Sequence, residues 1–404
     1  MSKKRPAKNI PDDAVPERIV IAGAGIGGLT AALALSRRGV ASEVFERREA
    51  LSEAGAGIQL GPNATKVLAG LGILESVRVF SSEPDHLRVH DGQSGRVLAR
   101  LPLGQWMRER HGAPYLTVHR QDLHRALSSA IQGDPLITVS PGRDVVSFLH
   151  RPDGVDISMG NGECLAATAL IAADGLWSKL RAQVTPTAAP KPAGKCAYRT
   201  VVPLAALPPL LSANDVHIWL APGAHIVHYP VRQGSEVAVV VVIDGVASHE
   251  SWNSAASVDA LRASPISGFA AHVRDFIFAN HVWRMWPLQK LAPVERWTNG
   301  ATALLGDAAH PMLPFFAQGG GMAIEDAAVL AKNIAGDGTL PDRLYAYEVE
   351  RKARVNRVVT ASKTNGRIYH LDGPMALARN GVLAAAPPGL MMRRYDWLYG
   401  WTAE

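Results

Sequence analysis

A glycine-rich turn near the start of the chain constrains the fold more than any other feature. The residues from Arg18 to Ala22 form a short apolar run that is typical of a buried parallel strand. The sequence GAGIGG follows directly and places Gly23, Gly25 and Gly28 in the G-x-G-x-x-G spacing. These glycines permit a tight turn, a close approach of the backbone to a pyrophosphate, and close packing of a helix on the strand. The sequence therefore predicts a dinucleotide-binding unit here.

Three separate apolar runs each end at a turn that contains glycine. The first is followed by a helix to about Arg38 and by a second strand over Ser42–Phe45 that ends in Glu46, where a ribose hydroxyl would be bound. Two later runs end in Asp174-Gly175 and in Gly306-Asp307. Strand ends so far apart in sequence can meet in one sheet only if other material is inserted between them. The segment from about residue 198 to residue 286 alternates apolar and polar residues, and predicts a second layer with its own antiparallel sheet.

Composition excludes several other classes of protein. Of the 404 residues, 47% are hydrophobic and 19% are charged, which is typical of a globular protein with two packed subdomains. Much of the net charge of +6 lies in the first nine residues, so we expect a flexible basic tail and no nucleic-acid partner. Cys164 and Cys196 show no disulfide pattern, and the histidines show no metal-ligand spacing, so no metal is predicted. No secretory signal or membrane span is predicted, and the expected location is the cytoplasm.

The motifs GAGIGG, ADG and GDAAHPM…QGGGMAIEDA, in this order, resemble those of the single-component FAD-dependent aromatic hydroxylases. The members that the chain resembles include salicylate hydroxylase, 3-hydroxybenzoate 6-hydroxylase and 6-hydroxynicotinate 3-monooxygenase, and the likeness covers nearly the whole chain. It implies an α/β fold in which an FAD-binding Rossmann-like domain carries an inserted α+β substrate domain and C-terminal helices. The expected division is a basic tail over 1–16, the FAD-binding domain in three parts (17–80, 111–190 and 288–345), the substrate domain in two parts (81–110 and 191–287), and a C-terminal helical segment over 346–404.

The resemblance also implies roles for single residues in holding FAD. Asp307 matches an acid that binds the ribityl chain, and Asp174 matches an acid used for both FAD and nicotinamide. The stretch GAGIQLGPN, from Gly55 to Asn63, looks like a loop that passes close to the isoalloxazine ring. The bare amides before the helix at Gly319-Gly320 would stabilise negative charge on the reduced ring. The expected FAD contacts are Gly23, Gly25, Gly27, Gly28, Glu46, Arg47, Gly57, Gln59, Arg120, Val145, Asp174, Asp307, Pro314, Gly319 and Gly320.

The stretch AHIVHYPV is the most informative one for chemistry. In a strand, His225 and Tyr229 share one face, while His228 points to the other. The resemblance matches the same two residues to a histidine and a tyrosine that contact the aromatic substrate. Relatives have glutamine or histidine at positions matching Pro314 or Phe315, so a more apolar pocket is expected here. The expected pocket consists of His225, Val227, Tyr229, Pro314 and Phe315.

Three other polar residues, Gln59, Arg199 and Arg232, are not assigned to catalysis. Gln59 stands where the 6-hydroxynicotinate enzymes have a histidine base, which argues against a hydroxypyridine substrate. No arginine is singled out to bind a carboxylate, and Arg199 and Arg232 are interpreted as solvated surface residues.

The resemblance implies a monooxygenase in which NADH or NADPH reduces FAD and O2 then forms a flavin hydroperoxide. This oxidant would hydroxylate a phenolic acid of the salicylate or hydroxybenzoate type. His225 or Tyr229 would draw off the proton of the substrate hydroxyl, whose free pKa is about 10. Simple hydroxylation and oxidative decarboxylation remain alternatives. A hydroxypyridine-carboxylate monooxygenase of the same family is the second possibility.

Rival classes lack parts of this pattern. A flavin disulfide reductase needs a redox cysteine pair and a second glycine motif, and a flavin amine oxidase lacks the Gly-Asp strand end with its His-Pro turn. A plain NAD-dependent dehydrogenase has no use for the two later strand ends. A flavin-binding protein without chemistry stays open. The arginine-rich C-terminal segment is expected to pack either on the flavin domain or on a partner subunit of a homodimer.

Overall fold

The computed structural model describes residues 18–51, 56–186, 189–208, 211, 214–245 and 252–403. The basic tail predicted over residues 1–16 lies outside this part of the chain. The strands are β1 Ile19–Ala22, β2 Ser42–Glu46, β3 Gly57–Leu60, β4 Ser81–Ser82, β5 His86–Asp91, β6 Val97–Pro102, β7 Leu116–His119, β8 Ile137–Pro141, β9 Val145–Arg151, β10 Gly154–Met159, β11 Cys164–Ala167, β12 Ala169–Ala172, β13 Lys191–Pro203, β14 Val216–Ala221, β15 Ala224–Val231, β16 Glu236–Asp244, β17 Ser254–Ala256, β18 Trp283–Lys290, β19 Thr298–Asn299 and β20 Thr302–Leu304.

The helices lie mostly before β13 and after β20. They are α1 Ile26–Ser36, α2 Pro62–Gly70, α3 Leu74–Arg78, α4 Gly104–His111, α5 Arg120–Ile131, α6 Arg181–Val184, α7 Val258–Arg262, α8 Ala271–Ala279, α9 Gly319–Ile334, α10 Leu340–Tyr369, α11 Gly373–Ala385, α12 Pro388–Arg393 and α13 Asp396–Tyr399. Among the described residues, no helix has both the length and the apolar character needed to span a membrane.

A six-stranded sheet forms the nucleotide-binding part, in the order β19-β20-β12-β1-β2-β8. Its strands run parallel except for β19 at one edge. All residues of β1 and β12 are buried because both faces of the sheet are covered, which explains why these strands read as continuous apolar runs.

The three predicted strand ends meet in this sheet. Ala22 pairs with Ala172, and Ala172 pairs with Leu304. Because the strands are parallel, the turns that follow them lie side by side at one edge. The prediction that distant segments come together in one sheet is confirmed.

The second layer is an eight-stranded sheet in the order β17-β18-β13-β16-β15-β14-β5-β6. Its neighbours are antiparallel except for the parallel pair of β5 and β14, which the sequence did not predict. That pair arises because β5 and β6 belong to an earlier segment of the chain that joins the sheet at its edge. One face packs under α7 and α8 in a separate core that includes Ile226, Val239 and Val241. The alternate residues of the same strands face the six-stranded sheet.

The stretch expected to be a loop near the flavin ring is instead partly a strand. Gly57–Leu60 pairs with Leu116–His119 of β7, and this pairing satisfies the backbone groups that face β7. Gly55 lies outside the described residues. Of the two free cysteines, Cys164 is exposed in β11 and Cys196 is buried in β13, so they do not form a redox pair.

The C-terminal segment is helical, as predicted, and packs on α9. Arg351 of α10 is completely buried and binds Glu325 at 2.6 Å and Asp326 at 2.7 Å. This segment was expected to pack either on the flavin domain or on a partner subunit, and the structure shows it packed on the nucleotide-binding part.

Candidate active site

A cavity of about 550 Å³ lies between the edge of the parallel sheet and the inner face of the eight-stranded sheet. Two sets of residues form its sides. We call one set the cradle, and it consists of Gly23, Gly25, Ile26, Gly27, Glu46, Gly57, Asp174, Gly306, Asp307, Gly319 and Gly320. We call the other set the wall, and it consists of Arg199, His225, Val227, Tyr229, Val240, Val242, Trp286 and Leu288.

Several glycines of the cradle, and Gly28 directly behind it, have no space for a side chain. Gly23 has a φ of +113°, and a Cβ there would lie 2.4 Å from the carbonyl oxygen of Ala173. At Gly28 a Cβ would lie 1.9 Å from the carbonyl oxygen of Gly23. The turn therefore keeps α1 against β1 and presents backbone to the cavity, as a pyrophosphate site requires.

Helices α1 and α9 begin at the cradle, and their uncapped N-termini point towards it. None of the described side chains caps α1 at Gly25 or α9 at Gln318, and neither helix has an acid in its first turn. The first-turn amides are therefore available to an anion. At Gly320 a Cβ would lie 2.4 Å from the side chain of Ile58, so this helix start is also packed closely against β3.

Two acids at strand ends offer acceptors to sugar hydroxyls. Glu46 accepts from the backbone amides of Ala24 and Arg48, each at 3.0 Å, and still lines the cavity. Asp174 accepts from the amide of Lys179 at 3.0 Å through Oδ2, while its buried Oδ1 finds no partner in the described part of the chain. Burial raises the pKa of Asp174. An orphaned carboxylate oxygen beside bare helix ends fits a ligand that carries both hydroxyls and phosphates.

A buried ionic cluster fixes the turn that carries Asp307. Asp326 accepts from the amide of Gly306 at 3.1 Å and from Nε of Arg351 at 2.7 Å, and its Oδ2 lies 2.5 Å from Nε2 of His310. Burial opposes the charge on Asp326, but His310 and Arg351 outweigh it and hold its pKa at about 2. The carboxylate stays charged and ties the turn to α9 and α10.

The wall presents the alternate residues of β15. His225, Val227 and Tyr229 line the cavity, whereas His228 faces the opposite side and stacks on His217 with ring centroids 4.4 Å apart. The two-residue period of a strand correctly predicted that His225 and Tyr229 share one face and that His228 lies on the other. The ring of Tyr229 lies where a Cβ on Gly57 would be, at 2.5 Å, so the cradle and the wall touch here.

The two polar side chains that β15 presents to the cavity, His225 and Tyr229, have pKa values shifted in opposite directions. Burial lowers the pKa of His225 well below its usual value, and the nearby His370 and Lys195 lower it further. Burial raises the pKa of Tyr229 to about 12, although Arg199 and a hydrogen bond with Gln59 pull it down. His225 is therefore a neutral imidazole whose unprotonated nitrogen can accept a hydrogen bond, and Tyr229 is a phenol that can donate one.

Arg199 was interpreted as a surface residue, and the structure shows that this is wrong. It lines the cavity with its guanidinium carbon 5.0 Å from the ring centre of Trp286, and its buried Nε has no partner among the described residues. The reason is that β13 lies between β16 and β18, so every second side chain faces inward.

Arg232 lies away from the cavity and is not simply solvated, since it binds Asp122 at 2.8 Å and Glu236 at 3.0 Å.

Most of the residues expected at the site line one cavity, and two do not. Gly28 is packed behind the glycine turn, and Phe315 is 4% exposed and contacts the edge of His225 with ring centroids 5.5 Å apart. Successive side chains of the one-turn helix Pro314–Phe316 point in different directions, so Pro314 faces the cavity and Phe315 faces the core. The predicted residues that line the cavity are Gly23, Gly25, Gly27, Glu46, Arg47, Gly57, Gln59, Arg120, Val145, Asp174, His225, Val227, Tyr229, Asp307, Pro314, Gly319 and Gly320.

His370 was missed by the sequence reasoning. Its Nε2 lies 2.7 Å from Nδ1 of His225, although 145 residues separate the two in the chain. No local pattern at the end of α10 indicates this contact. Within the described ranges, no group of three or more His, Cys, Asp or Glu residues has an arrangement that could hold a metal ion.

Similarities to known proteins agree with this geometry. Residues 17–362 match the model of the FAD binding domain family. The chain is 37% identical over 383 residues to 3-hydroxybenzoate 6-hydroxylase 1 of Aquipseudomonas alcaligenes, covering 95% of this chain and 97% of that protein. It is 34% identical to 6-hydroxynicotinate 3-monooxygenase of Bordetella bronchiseptica, covering 88% and 93%. The solved structure of Klebsiella pneumoniae HpxO complexed with FAD and uric acid superposes with a TM-score of 0.83 at 27% identity, covering 95% of this chain and 96% of that one.

Proposed function

The chain belongs to the FAD binding domain family, and we propose on this basis that it is an FAD-dependent monooxygenase that hydroxylates a small hydroxylated aromatic acid. One observation carries the proposal. A single cavity has a cradle for a dinucleotide on one side, and on the other a neutral histidine, a protonated tyrosine and a half-buried arginine.

The cradle residues would hold FAD. The glycine turn and the start of α1 suit its pyrophosphate, Glu46 and Asp307 suit its sugar and ribityl hydroxyls, and the start of α9 suits the ring. When bound, FAD supplies the activation of O2, with NADH or NADPH as the reductant.

The wall would bind and activate the substrate. The guanidinium of Arg199 offers charged donors to a carboxylate, and Trp286 supports its plane. His225 accepts the proton of the ring hydroxyl, and Tyr229 donates a hydrogen bond to the phenolate oxygen that results. Val227, Val240, Val242 and Leu288 keep water away from the reacting ring. The phenolate is richer in electrons than the phenol, which favours attack on its ring.

A hydroxybenzoate suits this wall better than a hydroxypyridine acid does. Gln59 cannot serve as a base, and its Oε1 already accepts from the hydroxyl of Tyr115 at 2.6 Å. The similarity to 3-hydroxybenzoate 6-hydroxylase points in the same direction. The hydroxypyridine carboxylate is the second candidate, supported by the similarity to 6-hydroxynicotinate 3-monooxygenase.

The test is substrate-stimulated oxidation of NADH and of NADPH by the purified yellow protein. We expect 3-hydroxybenzoate or salicylate to stimulate the oxidation, and benzoate, which has no hydroxyl, to give no hydroxylated product. Mass spectrometry of the product distinguishes added oxygen from loss of the carboxylate as CO2. A protein that retains FAD but responds to none of these acids, including 6-hydroxynicotinate, would be a flavin protein of another function.

A further inference from the structure

A chain of hydrogen-bonded side chains leads from the cavity to the protein surface. Nδ1 of His225 lies 2.7 Å from Nε2 of His370, and Nδ1 of His370 lies 2.9 Å from Oδ1 of Asp244. The side chains of His225 and His370 are buried, whereas that of Asp244 is 50% exposed. Each link joins a different part of the fold, since His225 is in β15, Asp244 ends β16, and His370 follows α10.

The end of α10 is held in place by its own contacts. Arg379 donates to the carbonyl oxygens of Ile368 at 2.9 Å and of Tyr369 at 3.0 Å, which satisfies two carbonyls of the last turn of the helix. Asn380 donates to Asp91 of β5 at 2.7 Å. The imidazole of His370 is therefore positioned by a rigid element, and the ring of Tyr369 packs edge-on against His225 with centroids 5.2 Å apart.

The outer nitrogen of His370 has two neighbours of opposite character. Asp244 can accept a proton from Nδ1, and Lys195 can donate one to it, with its Nζ at 2.8 Å. Lys195 and Asp244 also form an ion pair. When Nδ1 of His370 carries a proton, it can donate to Asp244, and when Nδ1 is unprotonated, it can accept from Lys195. His370 therefore has a hydrogen-bond partner at Nδ1 before and after a proton has passed through it.

Neutral imidazoles are expected in both positions. Burial lowers the pKa of His370, and Lys195 lowers it further, with Asp244 acting in the opposite direction. The charges that face this pair are those of Lys195 and Asp244, with Arg379 beyond them. A proton that arrives on either ring is therefore passed on rather than retained.

We propose that His225, His370 and Asp244 form a proton relay that carries the proton of the substrate hydroxyl to solvent. The O–H bond of the phenol breaks as Nε2 of His225 takes the proton. The proton on Nδ1 of His225 moves to Nε2 of His370, and the proton on Nδ1 of His370 moves to Asp244 and then to water. Both imidazoles end neutral in the opposite tautomer, the phenol becomes a phenolate, and nothing is oxidised or reduced. The reverse passage resets the relay when the product hydroxyl is protonated.

In this inference, which rests on the proposed function, His370 is a positioning residue that acts through His225. It is tested without turnover. Oxidised holoenzyme is mixed with 3-hydroxybenzoate in a stopped-flow instrument, and phenolate absorbance is followed across a range of pH. In His370→Gln we expect phenolate formation to be slower by about 10-fold or more, because glutamine keeps a hydrogen bond but cannot relay a proton. His281→Gln, an exposed histidine away from the cavity, is the matched control and should match the wild type.

A second variant keeps the test decisive if His370→Gln folds poorly. Asp244→Asn should slow phenolate formation by a smaller factor of about 3-fold, because water can replace an exposed carboxylate. FAD content, read from flavin absorbance, should be unchanged in both variants. Wild-type rates and pH dependence in these variants would overturn the relay and leave the proposed function standing. A wild-type protein that oxidises no NADH or NADPH with any phenolic acid would remove the proposed function and the relay together.

Discussion

The cradle and the wall face each other across one cavity but are built from different parts of the chain. The cradle is made of turns, with several glycines at which a side chain would collide with its neighbours, and of helix starts without caps. The wall is made of side chains from β13, β15, β16 and β18; His225 and Tyr229 are buried and Arg199 is half-buried. A surface that holds a large anion needs exposed amides. A surface that moves a proton needs side chains whose protonation is shifted by burial.

This contrast predicts that damage to the cradle removes the cofactor, whereas damage to the wall leaves a yellow protein with altered chemistry. The largest effect is expected for Gly28→Val, at the glycine that packs directly behind the cradle. Its Cβ would lie 1.9 Å from the carbonyl oxygen of Gly23, so α1 could not approach β1. We expect purified protein without flavin absorbance, or no soluble protein. Gly70→Ala is the control, since no described atom lies within 4 Å of a Cβ there. A yellow Gly28→Val protein would show that the turn is not needed in this form.

Arg199→Gln should separate the wall from the cradle. Loss of the half-buried guanidinium removes the charged partner of a substrate carboxylate, so we expect the KM for 3-hydroxybenzoate to rise by about 100-fold. FAD content should not change, and KM for the neutral 3-hydroxybenzamide should rise by no more than about 3-fold. Arg262→Gln, on the surface of α7, is the matched control. An equal loss with acid and amide would mean that Arg199 does not bind the carboxylate.

Tyr229→Phe should have a smaller effect on the wall alone. Because its pKa is raised to about 12, Tyr229 contributes a hydrogen bond rather than a base. Its loss should lower kcat by about 10-fold, the size of one hydrogen bond to a charged oxygen, and should raise the pH at which bound substrate ionises. Spectrophotometric titration of bound 3-hydroxybenzoate measures that pH. If Tyr229→Phe abolished phenolate formation altogether, Tyr229 would be the base in place of His225.

The smallest effect concerns the reverse side of the wall, where His90, His217 and His228 stack away from the cavity. Burial lowers the pKa of His217 from 6.5 to about 3 and that of His90 to about 4. Such groups stabilise the fold above the unfolded pKa of 6.5, and this contribution is lost as pH falls towards the folded values. We expect Tm to fall between about pH 6.5 and pH 4, and to fall less steeply in His217→Gln. Equal slopes in thermal scans of the two proteins would contradict this origin of the acid sensitivity.

The same contrast explains how much could be predicted from the sequence. Gly23, Glu46 and the later strand ends could be identified because each sits in a local pattern whose spacing reports a backbone turn. The face shared by His225 and Tyr229 followed from the period of one strand.

What could not be predicted depends on which strands and helices become neighbours. Arg199 faces the cavity only because β13 lies between β16 and β18, and His370 reaches His225 only because the end of α10 comes to lie beside β15. Phe315 was placed at the pocket although it packs into the core, because a one-turn helix has no pattern that reveals its direction.

A crystal structure of the protein with FAD and 3-hydroxybenzoate tests the division of labour between the two surfaces most directly. We predict FAD with its pyrophosphate at the start of α1, the carboxylate of the ligand on Arg199, and its hydroxyl within hydrogen-bond distance of His225 and Tyr229. A ligand bound in the opposite direction, with its carboxylate at His225 and its hydroxyl at Arg199, would contradict the proposed roles of the wall.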